Sequence, residues 1–428
     1  MRIPAFVVAL AGAASPAFAA NFLVTNTAQD LPDGAPGNGA CKVAVGDTCT
    51  LRAAIMESNA LAGADVIVLP TNAHIILTIA GRNENAAASG DLDISGPLTI
   101  STFGAADPDA RPTVDANGID RVLDVRPGAG DVLMQYIQII NGAANDATTF
   151  LGGGVQLGSA SRLDLRYCDI RGNAANAGAG VYTNGDLKFF LCELHGNVVT
   201  AMGFTNPLGS AIKDSDSGPV EPFDGVTLKL TTVYNNLALG TGAGAAVDLR
   251  RQVLVENSTI SGNLPYGLHV FAANATLNFA TIVGHQIGYL YGGISLAQTS
   301  EVRNSIIAGG TTADCQISGS LTYAHNYTLA SDASCNLGFG AGNLPSTDPH
   351  LKPLAIRYGT TRVHDLLSGS PAIDRADTSG CPSRDQDDIP RPLDGDGVDG
   401  ARCDMGSVEF VDLIFADGYD SVARRFEA

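Results

Sequence analysis

One phrase recurs along this chain and limits what it can fold into. Leu163-Asp-Leu-Arg-Tyr-Cys-Asp-Ile-Arg-Gly-Asn173 returns as Leu187-Lys-Phe-Phe-Leu-Cys-Glu-Leu-His-Gly-Asn197. Looser copies run 226–236, 253–263, 275–285 and 300–310, and an earlier one runs 132–142. Successive copies start 31, 24, 39, 27, 22 and 25 residues apart. A period in the twenties with a strand in each unit indicates a solenoid. Counting the first residue of a copy as position 0, positions 0, 2, 5 and 7 are apolar or small: Leu163, Leu165, Cys168 and Ile170 in one copy, Val253, Val255, Ser258 and Ile260 in another. A spacing of two puts side chains on one face of a strand. The step from 2 to 5 breaks the alternation and predicts a bend.

Gly-Asn or Asn-Asn closes the phrase. Gly172, Gly196 and Gly262 suit positive φ, and the neighbouring asparagines tolerate it. Stacking the copies would place Asn173, Asn197, Asn236 and Asn263 in a ladder. Gly-rich stretches such as 152–157 and 178–182 supply a further strand per turn. The pattern therefore predicts an all-β chain, a parallel β-helix. A leucine-rich repeat is the competing solenoid, but it needs a denser Leu pattern. Apolar residues make up 45% of the chain, enough for a continuous core, and the 50 glycines suit many tight turns.

The N-terminus reads as an export signal. Arg2 precedes an apolar stretch from Ala5 to Ala14, and Ala17-Phe-Ala19 is a small-x-small cleavage site. Residues 1–19 are thus expected to be removed, leaving a secreted or outer-surface protein with no later membrane-spanning segment. The formal charge is -19, and cleavage removes Arg2 but no acid. Such a chain should repel nucleic acid, and it disfavours general attraction to polyanionic polysaccharides unless a local basic patch overrides that. Eight cysteines fall into close pairs: Cys41 with Cys49, Cys168 with Cys192, Cys315 with Cys335, and Cys381 with Cys403. An even count in an exported chain suggests disulfides. Cys168 and Cys192 hold the same position in successive copies, where in-register strands would bring them about 4.8 Å apart; free thiols in the inward column are the alternative. No pair has the spacing of a zinc site.

Four regions follow the expected leader. Residues 20–95 form an N-terminal cap with a short helix in 49–60, where Leu51, Ile55 and Met56 share a face. The β-helix spans 96–345, a loop-rich C-terminal module spans 346–410, and 411–428 is a tail. Cys49-Thr-Leu-Arg-Ala-Ala-Ile55 resembles the CSLREA motif of bacterial surface proteins, with Ala53 where that motif has Glu. Gly369-Ser-Pro-Ala-Ile-Asp374, Asp385-Gln386, Pro390-Arg-Pro392 and Cys403-Asp-Met-Gly406 resemble the choice-of-anchor Q domain that follows right-handed β-helices. The resemblance implies a secreted or cell-surface right-handed β-helix of the pectate-lyase-like fold, and it supplies no catalytic residues.

Three features are candidate sites. Asp394, Asp396 and Asp399, spaced by glycines, form a candidate calcium loop, with a solvated acidic turn as the alternative; no other cofactor is expected. Position 6 stacks Asp169 beneath Glu193, and position 8 sets Arg171 beside His195; both should face outward. Paired carboxylates with His195 are candidate groups for acid/base cleavage of a glycan, against a plain solvated charged rung. The third is the insertion 213–224, which in a solenoid maps to a loop on one face. The resulting expectation is a noncatalytic, monomeric surface protein whose long faces bind carbohydrate or another cell-surface partner. A polysaccharide lyase or glycoside hydrolase is the alternative.

Overall fold

The computed structural model describes residues 19–103, 108–145, 151–200, 209–215, 225–239, 244–270, 275–292, 299–318, 322–338, 340–398 and 400–411. The expected leader up to residue 18, the tail from 412, Asp399 and insertion residues 216–224 lie outside them.

The chain is a parallel β-helix. Among the described residues its strands form a long sheet of 17 strands, a second of nine and a short one of four, and every ladder between named strands is parallel. One turn shows the plan. Ser161–Arg171 lies in the long sheet, Ala174–Ala175 in the short sheet and Val181–Thr183 in the second, and Asp186–Phe190 then re-enters the long sheet one rung higher. The sheet already begins inside the segment read as the cap: Asn21–Leu23 pairs with Asp65–Leu69, which pairs with Leu98–Thr102 and so with Gly130–Ile140. A last rung, Thr322–Asn326 with Leu329–Ala330, was too degenerate to recognise from the repeat.

The recurring phrase is the long-sheet portion of each rung. Leu163, Leu165, Cys168 and Ile170 are buried, as are Val253, Val255, Ser258 and Ile260, and they stack into one continuous core. The bend is sharper than a skipped alternation. Position 4 adopts positive φ in every copy: Tyr136, Tyr167, Leu191, Leu230, Asn257, Phe279, Asn304 and Tyr327. For non-glycine residues this conformation costs about 1–2 kcal/mol each. The next residue makes the bend tolerable. Its N–H loses regular ladder geometry and finds a side chain of the following rung instead. Thr231 N–H donates to Ser258 Oγ at 3.1 Å, and Ala280 N–H to Ser305 Oγ at 3.1 Å. Each hydroxyl donates in turn to a carbonyl two residues back, Ser258 Oγ to Glu256 O and Ser305 Oγ to Arg303 O. Small polar residues at position 5 thus repair the backbone that position 4 distorts.

The second turn of each rung follows the sequence reading. Gly172, Gly196 and Gly262 have positive φ, with Asn141 and Asn235 taking that place elsewhere. The ladder is continuous from Asn173 to Asn263. Asn173 Nδ2 donates to Asn197 Oδ1 at 3.0 Å, Asn197 to Asn236 at 2.9 Å and Asn236 to Asn263 at 2.9 Å. Each Oδ1 also accepts the backbone N–H of the rung below. His285 ends the series: Asn263 N–H donates to its Nδ1, and its Nε2 faces Ile260 O at 3.0 Å. Disulfides join Cys41–Cys49, Cys168–Cys192, Cys315–Cys335 and Cys381–Cys403; the Cα atoms of the second pair are 4.5 Å apart.

At the N-terminal end, helix α1 (Leu51–Ala60) starts at Thr50, whose side chain accepts the Ala53 N–H. Leu51 and Ile55 are buried and Met56 is half-buried. The motif arginine is structural. Arg52 is buried, pairs with Asp30 through Nε at 2.6 Å and Nη2 at 3.1 Å, and donates to the carbonyls of Ala87, Gly90 and Asp91. It bolts the helix to Asp30 and to the loop that leads into the strand Leu92–Ile94.

Candidate functional site

Register brings the outward residues of the long sheet into columns. Position 6 runs Thr113, Gln138, Asp169, Glu193, Thr232, Thr259. Position 8 runs Arg171, His195, Tyr234, Ser261. Asp169 stacks on Glu193, and Arg171 on His195. Sequence reasoning missed what covers this face: the C-terminal segment packs across it. Glu193 is therefore only 7% exposed, which corrects the picture of an open, solvated rung.

The covering contacts are specific. Arg362 N–H donates to Glu193 Oε1 at 2.8 Å, and Arg362 Nη1 to Glu193 Oε2 at 2.6 Å and to the Tyr234 hydroxyl at 2.7 Å. Farther along, Gln386 bridges Thr232 and Thr259, Ser407 meets Thr259 and Thr281, and His364 Nε2 meets Ser261 at 2.8 Å. Asn304 and Phe279, both at position 4, receive Asp377 N–H and the Arg391 guanidinium. The segment thus spans six successive rungs, from Glu193 to Leu329.

At the edge of this cover lies a cluster of charged groups. Asp169 accepts from Arg171 Nη1 at 3.0 Å and sits 3.1 Å from His195 Nε2. Arg171 also donates to Gln138, and His195 stacks on Tyr234 with centroids 4.6 Å apart. The side chains of Asp169, His195 and Arg362 are 15%, 24% and 36% exposed, so solvent reaches the cluster. Burial, with Glu193 adding to it, raises the Tyr234 hydroxyl pKa, so the group that accepts from Arg362 stays neutral. Burial works against the Arg362 charge, yet Glu193 and Tyr234 hold its pKa above the ordinary value. Beside the cluster, Tyr136 and Tyr167 stack at 4.5 Å with planes 3° apart, and Phe190 meets Tyr167 edge-on at 5.9 Å. Both tyrosines are half-buried at the bend position. Such a surface offers aromatic faces and charged hydrogen-bonding groups side by side.

Two acidic groupings lie elsewhere. On the second sheet, Asp93 and Asp124 are register partners, and Asp91 joins them within metal-ligand spacing. Leu92-Asp-Ile94 and Leu123-Asp-Val125 were a readable signal for that stack. Arg121 reaches Asp91 and Asp124 at 3.2 and 3.1 Å, and Arg126 reaches Asp124 at 2.7 Å. Burial raises Asp91 to about 8, against Arg121, and Asp93 to about 7. Arg121 and Arg126 thus set positive charge beside all three carboxylates, while Asp93 Oδ1 and Asp124 Oδ1 are buried without a hydrogen-bond partner. In the C-terminal segment, Asp394 and Asp396 gather with Asp374 rather than standing alone. Much of their acceptor capacity is spent within the loop: Asp374 accepts from Gly395, Asp396 and Arg402 N–H, Asp394 from Gly397, and Asp396 from Val398. Exposed oxygens of Asp394 and Asp396 remain for calcium.

No family model matches the chain, and no curated protein matches it. Among solved structures it is similar to one titled "Crystal structure of pectate lyase Pel9A", with 12% identity, a TM-score of 0.43, and coverage of 92% of this chain and 98% of that one. A likeness of that degree leaves the chemistry to be read from this chain's own residues.

Proposed function

We propose that the protein is exported and acts outside the cell or on its outer surface as a noncatalytic glycan-binding β-helix, with its face around Asp169, His195 and the Tyr136–Tyr167 pair. The observation that carries this reading is the state of the acid pair. Glu193 accepts two donors from Arg362, and Asp169 accepts one from Arg171. These are oriented ion pairs, suited to holding sugar hydroxyls in place. An acid/base hydrolase needs one carboxyl as a proton donor, and the contacts to Glu193 all present donors to it. Aromatic faces beside the ion pairs supply the apolar half of a sugar-binding surface. Four disulfides fit an oxidising exterior. The CSLREA-like and choice-of-anchor-like segments support a surface location; in this chain their residues have architectural roles, such as Arg52 and Gln386.

The competing reading, a polysaccharide lyase or glycoside hydrolase, is favoured by register alone. Adjacent rungs place Asp169 and Glu193 about 4.8 Å apart along the axis, a scale on which two carboxylates can flank one glycosidic bond. One panel separates the readings. The mature protein is tested against diverse polysaccharides for retention and for new reducing ends or unsaturated uronates. Retention without product, weakened in Asp169→Asn and Tyr167→Ala, is the expected result. Product formed by the wild type and lost in both Asp169→Asn and Glu193→Gln would replace binding with catalysis.

A further inference from the structure

One inward position breaks the rule of its column. Position 0 of the rungs is apolar: Leu98, Val132, Leu163, Leu187, Val226 and Val253 are register partners in succession, and all are buried. One rung earlier, Leu98 pairs with Asp65. This acid is 1% exposed and shares the inward face of its strand with Ile67 and Leu69. Its Oδ1 accepts the backbone N–H of Ala20 at 2.7 Å, and its Oδ2 is buried without a hydrogen-bond partner. Among the described residues, no basic side chain meets it.

A buried carboxylate served by one neutral donor is costly. Ala20 stands where the first strand begins: its carbonyl accepts the Val66 N–H, and Asn21 is the register partner of Val66. Ala20 packs half-buried against the core, whereas Ala19 before it is exposed. The bond between these two residues is also the one that follows the small-x-small sequence Ala17-Phe-Ala19, the signature of a leader peptidase site. The carboxylate is thus aimed at the nitrogen that such a cleavage would free. Sequence and structure point to that nitrogen independently.

We propose that cleavage after Ala19 creates the partner of Asp65: the new α-ammonium of Ala20 pairs with both carboxylate oxygens and locks the first strand onto the solenoid. The inference rests on the export reading and is independent of glycan binding. Water adds across the Ala19–Ala20 bond. Its oxygen goes to the Ala19 carbonyl carbon, which leaves as a carboxylate, and the C–N bond breaks. The two water hydrogens join the one on nitrogen to give the ammonium, the prevailing form of an α-amine near neutral pH. One hydrogen keeps the Oδ1 contact, and the others supply Oδ2. A contact between a neutral donor and a carboxylate becomes one in which both partners are charged. The acid at the head of the apolar column is then complete.

The test uses the exported full chain. Mass spectrometry of its N-terminus should find Ala20. That α-amine should react with an amine-modifying reagent about tenfold more slowly than in Asp65→Asn, the scale of one charge-assisted contact. A chain that keeps Phe18 and Ala19 ahead of Ala20 should melt below the wild type, and this loss should vanish when both chains carry Asp65→Asn. Equal reactivity of the two amines, or a loss of the same size in both backgrounds, would overturn the pairing while export stands. A mature end at another residue would do the same. A purified chain that retains its leader would overturn the export reading as well. Should Asp65→Asn not fold, the wild-type amine still decides. Protection lost only in denaturant supports the pair, and labelling as fast in native buffer as in denaturant overturns it.

Discussion

The rungs and the C-terminal segment are held together by different means. In the rungs, apolar columns fill the interior, and the backbone bonds to its own image one rung away. The segment from 346 to 411 has isolated bridges and short turns in place of a sheet. Buried carboxylates do the work of the missing strands. Asp385 accepts N–H groups from Asp387, Ile389 and Glu409. Asp404 accepts from Asp374 and Phe410, and Glu409 from Asp404 and Leu393. Arg391 lies among them, 3.2 Å from Glu409, with both side chains fully buried. Regular repetition satisfies the backbone in one region, and individually placed acids satisfy it in the other. The first arrangement repeats one contact along a column, whereas the second depends on each acid separately.

The largest expected effect tests that dependence. Glu409→Ala strands Arg391 and two N–H groups and should cost about 3–5 kcal/mol, the scale of breaking a buried pair. The segment should become protease-sensitive while residues 20–330 stay protected. Loss of both regions together would show that they are not separately held. A rung substitution should act on the other region. Leu165→Ala removes core packing between neighbouring rungs and should cost about 2–5 kcal/mol, read as a lower denaturation midpoint of the β-helix. Asn236→Ala interrupts the ladder in its middle and should cost about 1–3 kcal/mol for the groups left unpaired. A change near zero would mean that water replaces the amide.

Acidity should separate the regions further. Burial raises Asp387 and Glu409 to about 7, and it raises Asp385 and Asp404 as well. Groups raised on folding contribute stability that is fully present below their unfolded pKa and lost as pH rises through about 7. From about pH 5 to pH 7 the C-terminal segment should therefore loosen with rising pH, by on the order of 1 kcal/mol per pH unit for each of Asp387 and Glu409, and level off above that. Proteolysis rates across that range would check it, and a segment that tightens instead would reverse the sign. The smallest effect concerns calcium. If Asp394 and Asp396 bind it with millimolar affinity, calcium at a few times that concentration should add about 1 kcal/mol to the segment; a melting temperature indifferent to calcium and chelator would remove the ion from consideration.

This contrast also explains what could be read from the chain. The Asn column and the small residues at position 5 were legible because each rung repeats them. The left-handed bend at position 4 was not, because Tyr, Leu and Phe hold it in most copies and Asn, the usual marker of positive φ, in only Asn257 and Asn304. Asp169 and Glu193 were legible as a stack, but their burial was not. Arg362 lies 169 residues beyond Glu193 and belongs to no repeat.

The grip of the C-terminal segment on six consecutive rungs bears on how such a chain can lengthen over time. Duplicating one turn before Glu193 would leave every anchor of the segment in place. The same duplication between Glu193 and Leu329 would slide Arg362, Gln386 and Ser407 out of step by about 4.8 Å. The segment acts as a gauge of a fixed number of turns, so growth by duplication is confined to the part of the solenoid it does not measure.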